Sequence, residues 1–146
     1  MFGSFFSSAN QKLVKQWTKE HQLIVKSAGK IIQAYEDNNA KKIKKELISL
    51  RELALGHLMT EDLEFYKLKK ETGKHTLDSQ TEKLVNEFTN SFKETKLVLM
   101  NFLTKYTHSK ANYDAEFFET FNVIVGVLGE RIAFEEENLY VALNTK

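Results

Sequence analysis

Between residues 14 and 139 apolar side chains recur every three or four positions in four separate blocks, and no proline interrupts any of them. That period puts the apolar residues of each block on one face of an α-helix, because 3.6 residues complete a turn. The first block carries Val14, Trp17, Ile24, Ala28, Ile31 and Tyr35; it follows the N-cap candidates Ser7, Ser8 and Asn10 and stops at the polar turn Asp37-Asn38-Asn39. The second carries Ile43, Leu47, Leu50, Ala54, Leu58 and Phe65, and runs out near Thr72-Gly73. The third, starting near Asp78 or Ser79, carries Leu77, Leu84, Phe88, Phe92, Leu99, Phe102 and Tyr106. The fourth, opened by Asn112 or Asp114, carries Phe117, Phe121, Ile124, Leu128, Ile132 and Leu139. Each block is about 26–32 residues, a helix roughly 40–48 Å long. Four such helices with short polar links, the later two at Lys70–Thr76 and Thr107–Tyr113, predict an all-α fold: an up-down-up-down four-helix bundle. The expected organisation is one domain over residues 1–146, with residues 1–9 as an N-terminal arm. Phe2, Phe5 and Phe6 of that arm cover one end of the bundle or dock on a partner.

The absences exclude much chemistry. No cysteine means no disulfide scaffold, thiolate zinc site, iron–sulfur cluster or thiol nucleophile. With six glycines and no proline, the turns of a β-sandwich or a doubly wound α/β domain have little to be built from. The net charge of +1 argues against a dedicated polyanion binder, so no nucleic-acid partner is expected. Residues 1–75 hold 14 Lys/Arg against 9 Asp/Glu, and residues 76–146 hold 7 against 11, an asymmetry that suits complementary faces within one bundle. The run Lys41-Lys42-Ile43-Lys44-Lys45 reads as a solvated face around one core residue. No apolar run approaches the roughly 20 residues that cross a bilayer, and the start lacks a basic segment before its short apolar stretch. No membrane association and a cytoplasmic location are expected. There is no Glu-x-x-His, Ser–His–Asp arrangement or glycine-rich phosphate loop, and the chain is not expected to be an enzyme.

Polar residues inside an apolar stripe carry more information, because burying them is costly unless they are paired or bound. His21 stands in line with Trp17 and Ile24 in the first helix. His57 and Glu61, four residues apart, share the core face of the second, and Glu135 follows Arg131 into the seam of the fourth. With the first turn centred near Asn38-Asn39, His21 lies about 17 residues before it and His57 about 18 after it, so antiparallel helices set them side by side. Counted through the other links, Glu61 maps to about position 85 of the third helix and Glu135 to about position 86. The four residues therefore converge on one layer. Two imidazoles and two carboxylates suit iron, manganese or zinc. They also suit a metal-free layer in which a histidine bonds Glu61 and Arg131 pairs with Glu135; the residues alone leave both open. The third helix offers Glu87, Ser91 and Thr95 near that height, and no histidine.

The stretches Glu20-His21, His57-Leu58-x-x-Glu61-Asp62-x-x-Phe65-Tyr66 and Arg131-Ile132-x-x-Glu135-Glu136-x-x-Leu139-Tyr140 together resemble the hemerythrin-like, cation-binding HHE family over roughly residues 13–143. The resemblance implies a four-helix bundle with a non-haem di-iron centre, held by histidines and bridging carboxylates, whose open iron position binds oxygen or another small ligand. It also implies metal ligation by His21, His57, Glu61 and Glu135. The family's usual centre takes five histidines from all four helices; here Arg131 stands at the last-helix histidine position, and His75 and His108 lie away from the layer. The expectation is a reduced site for non-haem iron or another divalent metal, serving sensing or storage of metal or oxygen. A shorter likeness links Lys12–Trp17 and Gly129–Glu136 to bacterial anti-sigma regulators of the sigma-factor-D regulator type. That alternative implies a metal-free regulatory bundle with a protein partner.

Overall fold

The computed structural model describes residues 2–71 and 79–140. Four helices form over the four apolar blocks: α1 (Phe2–Glu36), α2 (Ala40–Glu71), α3 (Ser79–Tyr106) and α4 (Ala115–Phe134). A turn of π-helix, Glu135–Leu139, continues α4, and no strand occurs among the described residues. Helix α1 packs on α2, α2 on α3, α3 on α4, and α4 back on α1, the closed ring of an up-down-up-down four-helix bundle.

Two departures from the expected boundaries have local causes. Helical backbone begins at Phe2 rather than after Ser7, Ser8 or Asn10, so the expected arm continues α1. Serine and asparagine favour caps without forbidding the helix interior, and no proline is present to stop the helix from extending. At the other end, α4 gives way to the π-turn after Phe134 instead of running on as α-helix. The side chains of Phe2, Phe5, Phe6, Phe65, Leu84, Phe88, Phe92 and Leu139, and the segment holding Leu77 and most of the second link, lie outside the described residues.

The first link shows how three polar residues reverse the chain. Asn38 adopts a left-handed φ of 55°, a conformation asparagine tolerates better than most residues. Its N–H donates to Tyr35 O (3.0 Å), and the Asn39 N–H donates to Ala34 O (2.9 Å), closing the end of α1 as a Schellman motif. Asn39 then caps the next helix, its side-chain oxygen accepting from Lys42 N at 3.1 Å. Of the two candidates for opening α4, the one used is Asp114, whose Oδ1 accepts from Phe117 N at 3.0 Å.

The buried stripe follows the period. Val14, Trp17, Ile24, Ala28 and Ile31 from α1 meet Ile43, Leu47, Leu50, Ala54 and Leu58 from α2. Leu99, Phe102, Leu103 and Tyr106 from α3 meet Phe117, Phe121, Ile124 and Leu128 from α4. Each fully buried large side chain stabilises the fold by about 1.5–3 kcal/mol through loss of apolar contact with water. Between residues 41 and 45 only Ile43 is buried; Lys41, Lys42 and Lys45 are exposed, as expected of a solvated face, and Lys44 is half-buried. No described helix is long and apolar enough to cross a membrane.

Candidate metal centre

Within that apolar core the chain buries four polar side chains at one level. His21, His57, Glu61 and Glu135 retain 2%, 4%, 0% and 0% of their exposure. One donor atom from each lies within 4.8 Å of all the others. His21 arrives from α1 on the Trp17–Ile24 face, His57 and Glu61 come from successive turns of α2, and Glu135 opens the π-turn. All four residues expected in the layer are therefore brought together.

The two imidazoles meet edge to face, with ring centroids 4.5 Å apart and an interplanar angle of 65°. Their Nε2 atoms are 2.9 Å apart. His21 Nε2 is 2.8 Å from Glu135 Oε1, and His57 Nε2 is 2.7 Å from Glu61 Oε1 and 3.7 Å from Glu135 Oε1. Donors around one cation, at bonds of about 2.0–2.2 Å, stand roughly 3.4 Å apart, so these spacings bracket what a single metal needs.

The opposite nitrogens explain the orientation of the rings. His57 Nδ1 faces Glu20 Oε1 at 2.7 Å, and His21 Nδ1 faces Glu136 Oε1 at 3.1 Å. A carboxylate only accepts, so each contact asks for a proton on Nδ1 and leaves Nε2 as the atom each ring presents to the layer. This is the arrangement by which outer carboxylates fix the tautomer of metal-binding histidines. Two Nε2 atoms at 2.9 Å require a metal cation between the rings or a proton on one of them. Glu61 Oε1 is fully buried beside them, with His57 Nε2 at 2.7 Å and Arg131 Nη2 at 3.7 Å.

Tyr140 and Arg131 complete the layer from the end of the fourth helix. The Tyr140 hydroxyl lies 2.7 Å from Glu61 Oε2, 3.1 Å from Glu135 Oε1 and 3.3 Å from His21 Nε2. Its ring stacks on His21 at 5.6 Å and packs against Trp17 at 5.5 Å. Arg131 Nε donates to Glu135 Oε2 at 3.2 Å, with Nη2 3.7 Å from Glu61 Oε1. The π-turn makes this geometry possible. In an α-helix, residues five apart face different directions, whereas i to i+5 bonding brings them back into line. Here the Tyr140 N–H bonds Glu135 O, and both side chains point into the layer.

In the metal-free chain the charges settle by competition. Burial pushes the His57 imidazole down, but contacts with Glu135, Glu61 and Glu20 outweigh it and hold the group at about 10. Burial favours the neutral acid at Glu135, yet bonds from His21 and His57 and the charge of Arg131 hold it down at about 2. Glu61 is pushed up, by burial first and by the charge of Glu135 second. Tyr140 is raised by burial and by both carboxylates, so its hydroxyl stays protonated as a donor. Beside the layer, His21, His57, Arg131 and Glu135 edge a cavity of about 10 Å³ whose other walls are Ile24, Ala54, Leu58, Leu128 and Ile132. That volume admits about one water-sized centre.

Three partners were not foreseen from the residues alone. Glu20 stands next to His21 in sequence but serves His57 across the helix pair. Glu136, one residue past Glu135 and so about 100° round an α-helix from it, reaches His21 because the π-turn widens the helix. Tyr140 lies five residues after Glu135, a spacing that an α-helical template sends elsewhere. Glu87 is exposed and supplies nothing to the layer. His108 is exposed at the link after α3, where Nδ1 accepts from Lys110 N at 3.1 Å, and His75 lies outside the described residues. Comparisons with family models, with curated proteins and with solved structures each find no match for this chain.

Proposed function

We propose that the chain is a cation-binding helical bundle of hemerythrin-like kind, with a reduced non-haem metal site that serves sensing or storage of metal or oxygen. The observation that carries this is the pair of Nε2 atoms 2.9 Å apart, each ring turned inward by a carboxylate on its far nitrogen. His21, His57, Glu61 and Glu135 would hold the metal, a nitrogen and oxygen donor set that suits iron, manganese or zinc. Bound there, a metal such as iron would supply the chemistry of reversible small-ligand binding. The protein's part is to orient the donors and keep water out. Glu20 and Glu136 set the tautomers, Tyr140 donates to Glu61 Oε2, and Trp17 and Leu58 close the layer from the core.

A second reading has an observation of its own. Arg131 pairs with Glu135 and His57 approaches Glu61, the contacts a metal-free layer requires, with a proton on His57 in place of the metal. Metal analysis of protein purified from iron-supplied cells separates the two. The proposal expects close to one equivalent of a transition metal and a fall in melting temperature after chelation. Less than a tenth of an equivalent, with melting unchanged by chelator, would sink it.

A further inference from the structure

Each buried carboxylate of the layer has two oxygens, and the chain treats them differently. The inner oxygens face the imidazoles: Glu61 Oε1 lies 2.7 Å from His57 Nε2, and Glu135 Oε1 lies 2.8 Å from His21 Nε2. The outer oxygens are held by the chain's own donors. Glu61 Oε2 receives the Tyr140 hydroxyl at 2.7 Å, and Glu135 Oε2 receives Arg131 Nε at 3.2 Å. A carboxylate that bridges two cations must offer an oxygen to each. Here one oxygen of each group is already committed.

Charge acts in the same direction. The Arg131 side chain is 8% exposed and spans both acids, with Nη2 3.7 Å from Glu61 Oε1. A fixed guanidinium in a poorly solvated layer repels a cation placed beside it far more strongly than it would in water. Arg131 is held in place by Glu135 four residues later, and Tyr140 by the π-turn, so neither donor depends on a loop.

We infer that Arg131 and Tyr140 fix the capacity of this layer at one divalent cation, by holding the outer oxygens of Glu135 and Glu61 and by leaving a permanent positive charge against them. This rests on the metal-binding reading above. It makes Arg131 and Tyr140 positioning and selectivity residues: they tune how many ions the four ligands accept.

The test is equilibrium dialysis of the full chain, stripped with chelator, against zinc(II) and separately manganese(II), with bound metal counted per chain. Wild type should saturate at one equivalent. Tyr140→Phe keeps the ring against Trp17 and His21, and freeing Glu61 Oε2 should add a second, weaker equivalent. Arg131→Gln removes the charge, and together with Tyr140→Phe it should bind that second equivalent at least tenfold more tightly than Tyr140→Phe alone. Arg131→Lys keeps a positive charge and should stay at one. Helicity by circular dichroism shows which variants fold, and Tyr140→Phe, the smallest change, keeps the test open if Arg131→Gln does not. Two equivalents in wild type, or one equivalent in every folded variant, overturns the inference. A wild type that binds no first equivalent overturns the parent reading and this one with it, an outcome recognisable because the first ion is missing.

Discussion

Glu20 accepts from Gln16 Nε2 on the surface and meets the layer at the far nitrogen of His57, so replacing it asks whether the layer is organised for metal. Its Oε1 lies 2.7 Å from His57 Nδ1, and the side chain is 26% exposed. Loss of an outer partner of a metal-bound histidine typically costs 10–100-fold in affinity. Glu20→Gln keeps an acceptor and removes the charge, so it belongs near tenfold, about 1.4 kcal/mol. Glu20→Ala removes both and belongs near 100-fold, about 2.7 kcal/mol. A chain of 146 residues unfolds with an entropy of about 0.3 kcal/mol per kelvin. In saturating metal, Tm should therefore fall by about 5 °C for Glu20→Gln and about 9 °C for Glu20→Ala, beyond any fall in the chelated protein. Glu136→Gln should cost less than tenfold, because that contact is longer, at 3.1 Å, and the side chain is 39% exposed. Calorimetric titration with zinc(II), paired with thermal melts with and without chelator, measures both quantities. If Glu20→Ala binds metal within twofold of wild type, or lowers Tm equally with and without metal, the reasoning fails.

Three further outcomes follow from other parts of the molecule. His57→Ala should abolish metal binding, and in the chelated protein it leaves Glu61 and Glu135 buried without their imidazolium, a loss of about 3–5 kcal/mol readable by urea unfolding. In metal-free protein His57 is held up at about 10, so its contribution to stability is full below its unfolded value and is lost as pH rises through about 10. Glu135, held down at about 2, contributes above its unfolded value and loses that as pH falls toward about 2; urea midpoints against pH should decline on both sides, and a flat alkaline limb refutes the His57 assignment. At the first turn, Asn38→Ala should destabilise by about 1 kcal/mol while Asn38→Gly costs nothing, because only the former is penalised at a φ of 55°.

How much of this was legible depends on which physics dominates locally. Helix periodicity was legible because burial decides it: Trp17, Leu47, Leu50, Phe117 and Phe121 all lie where a 3.6-residue period sends them. The convergence of His21, His57, Glu61 and Glu135 was legible too, since straight antiparallel helices turn a residue count into a height. The helix start at Phe2 was not, because capping preferences among Ser7, Ser8 and Asn10 differ from interior propensity by little. The inward turn of Glu136 and Tyr140 was not, because both depend on a π-turn that no side-chain period announces. Glu20 was hidden differently: it stands in plain view beside His21, and its partner is 37 residues away on another helix.

The layer also changes what ties this chain together. It has no cysteine, so no covalent bond links distant segments. Contacts within the layer join residues 36 and 114 positions apart, loops of the length that disulfides close in other proteins. A disulfide restrains the unfolded chain permanently, by an amount its loop length sets. A cation shared by the same residues restrains nothing once the chain opens, and its grip grows only with the logarithm of free metal. With a metal bound as proposed, such a cross-link would be adjustable from outside: the tightness of the bundle would become a function of metal supply, and the lifetime of its closed loops a readout of the surrounding solution.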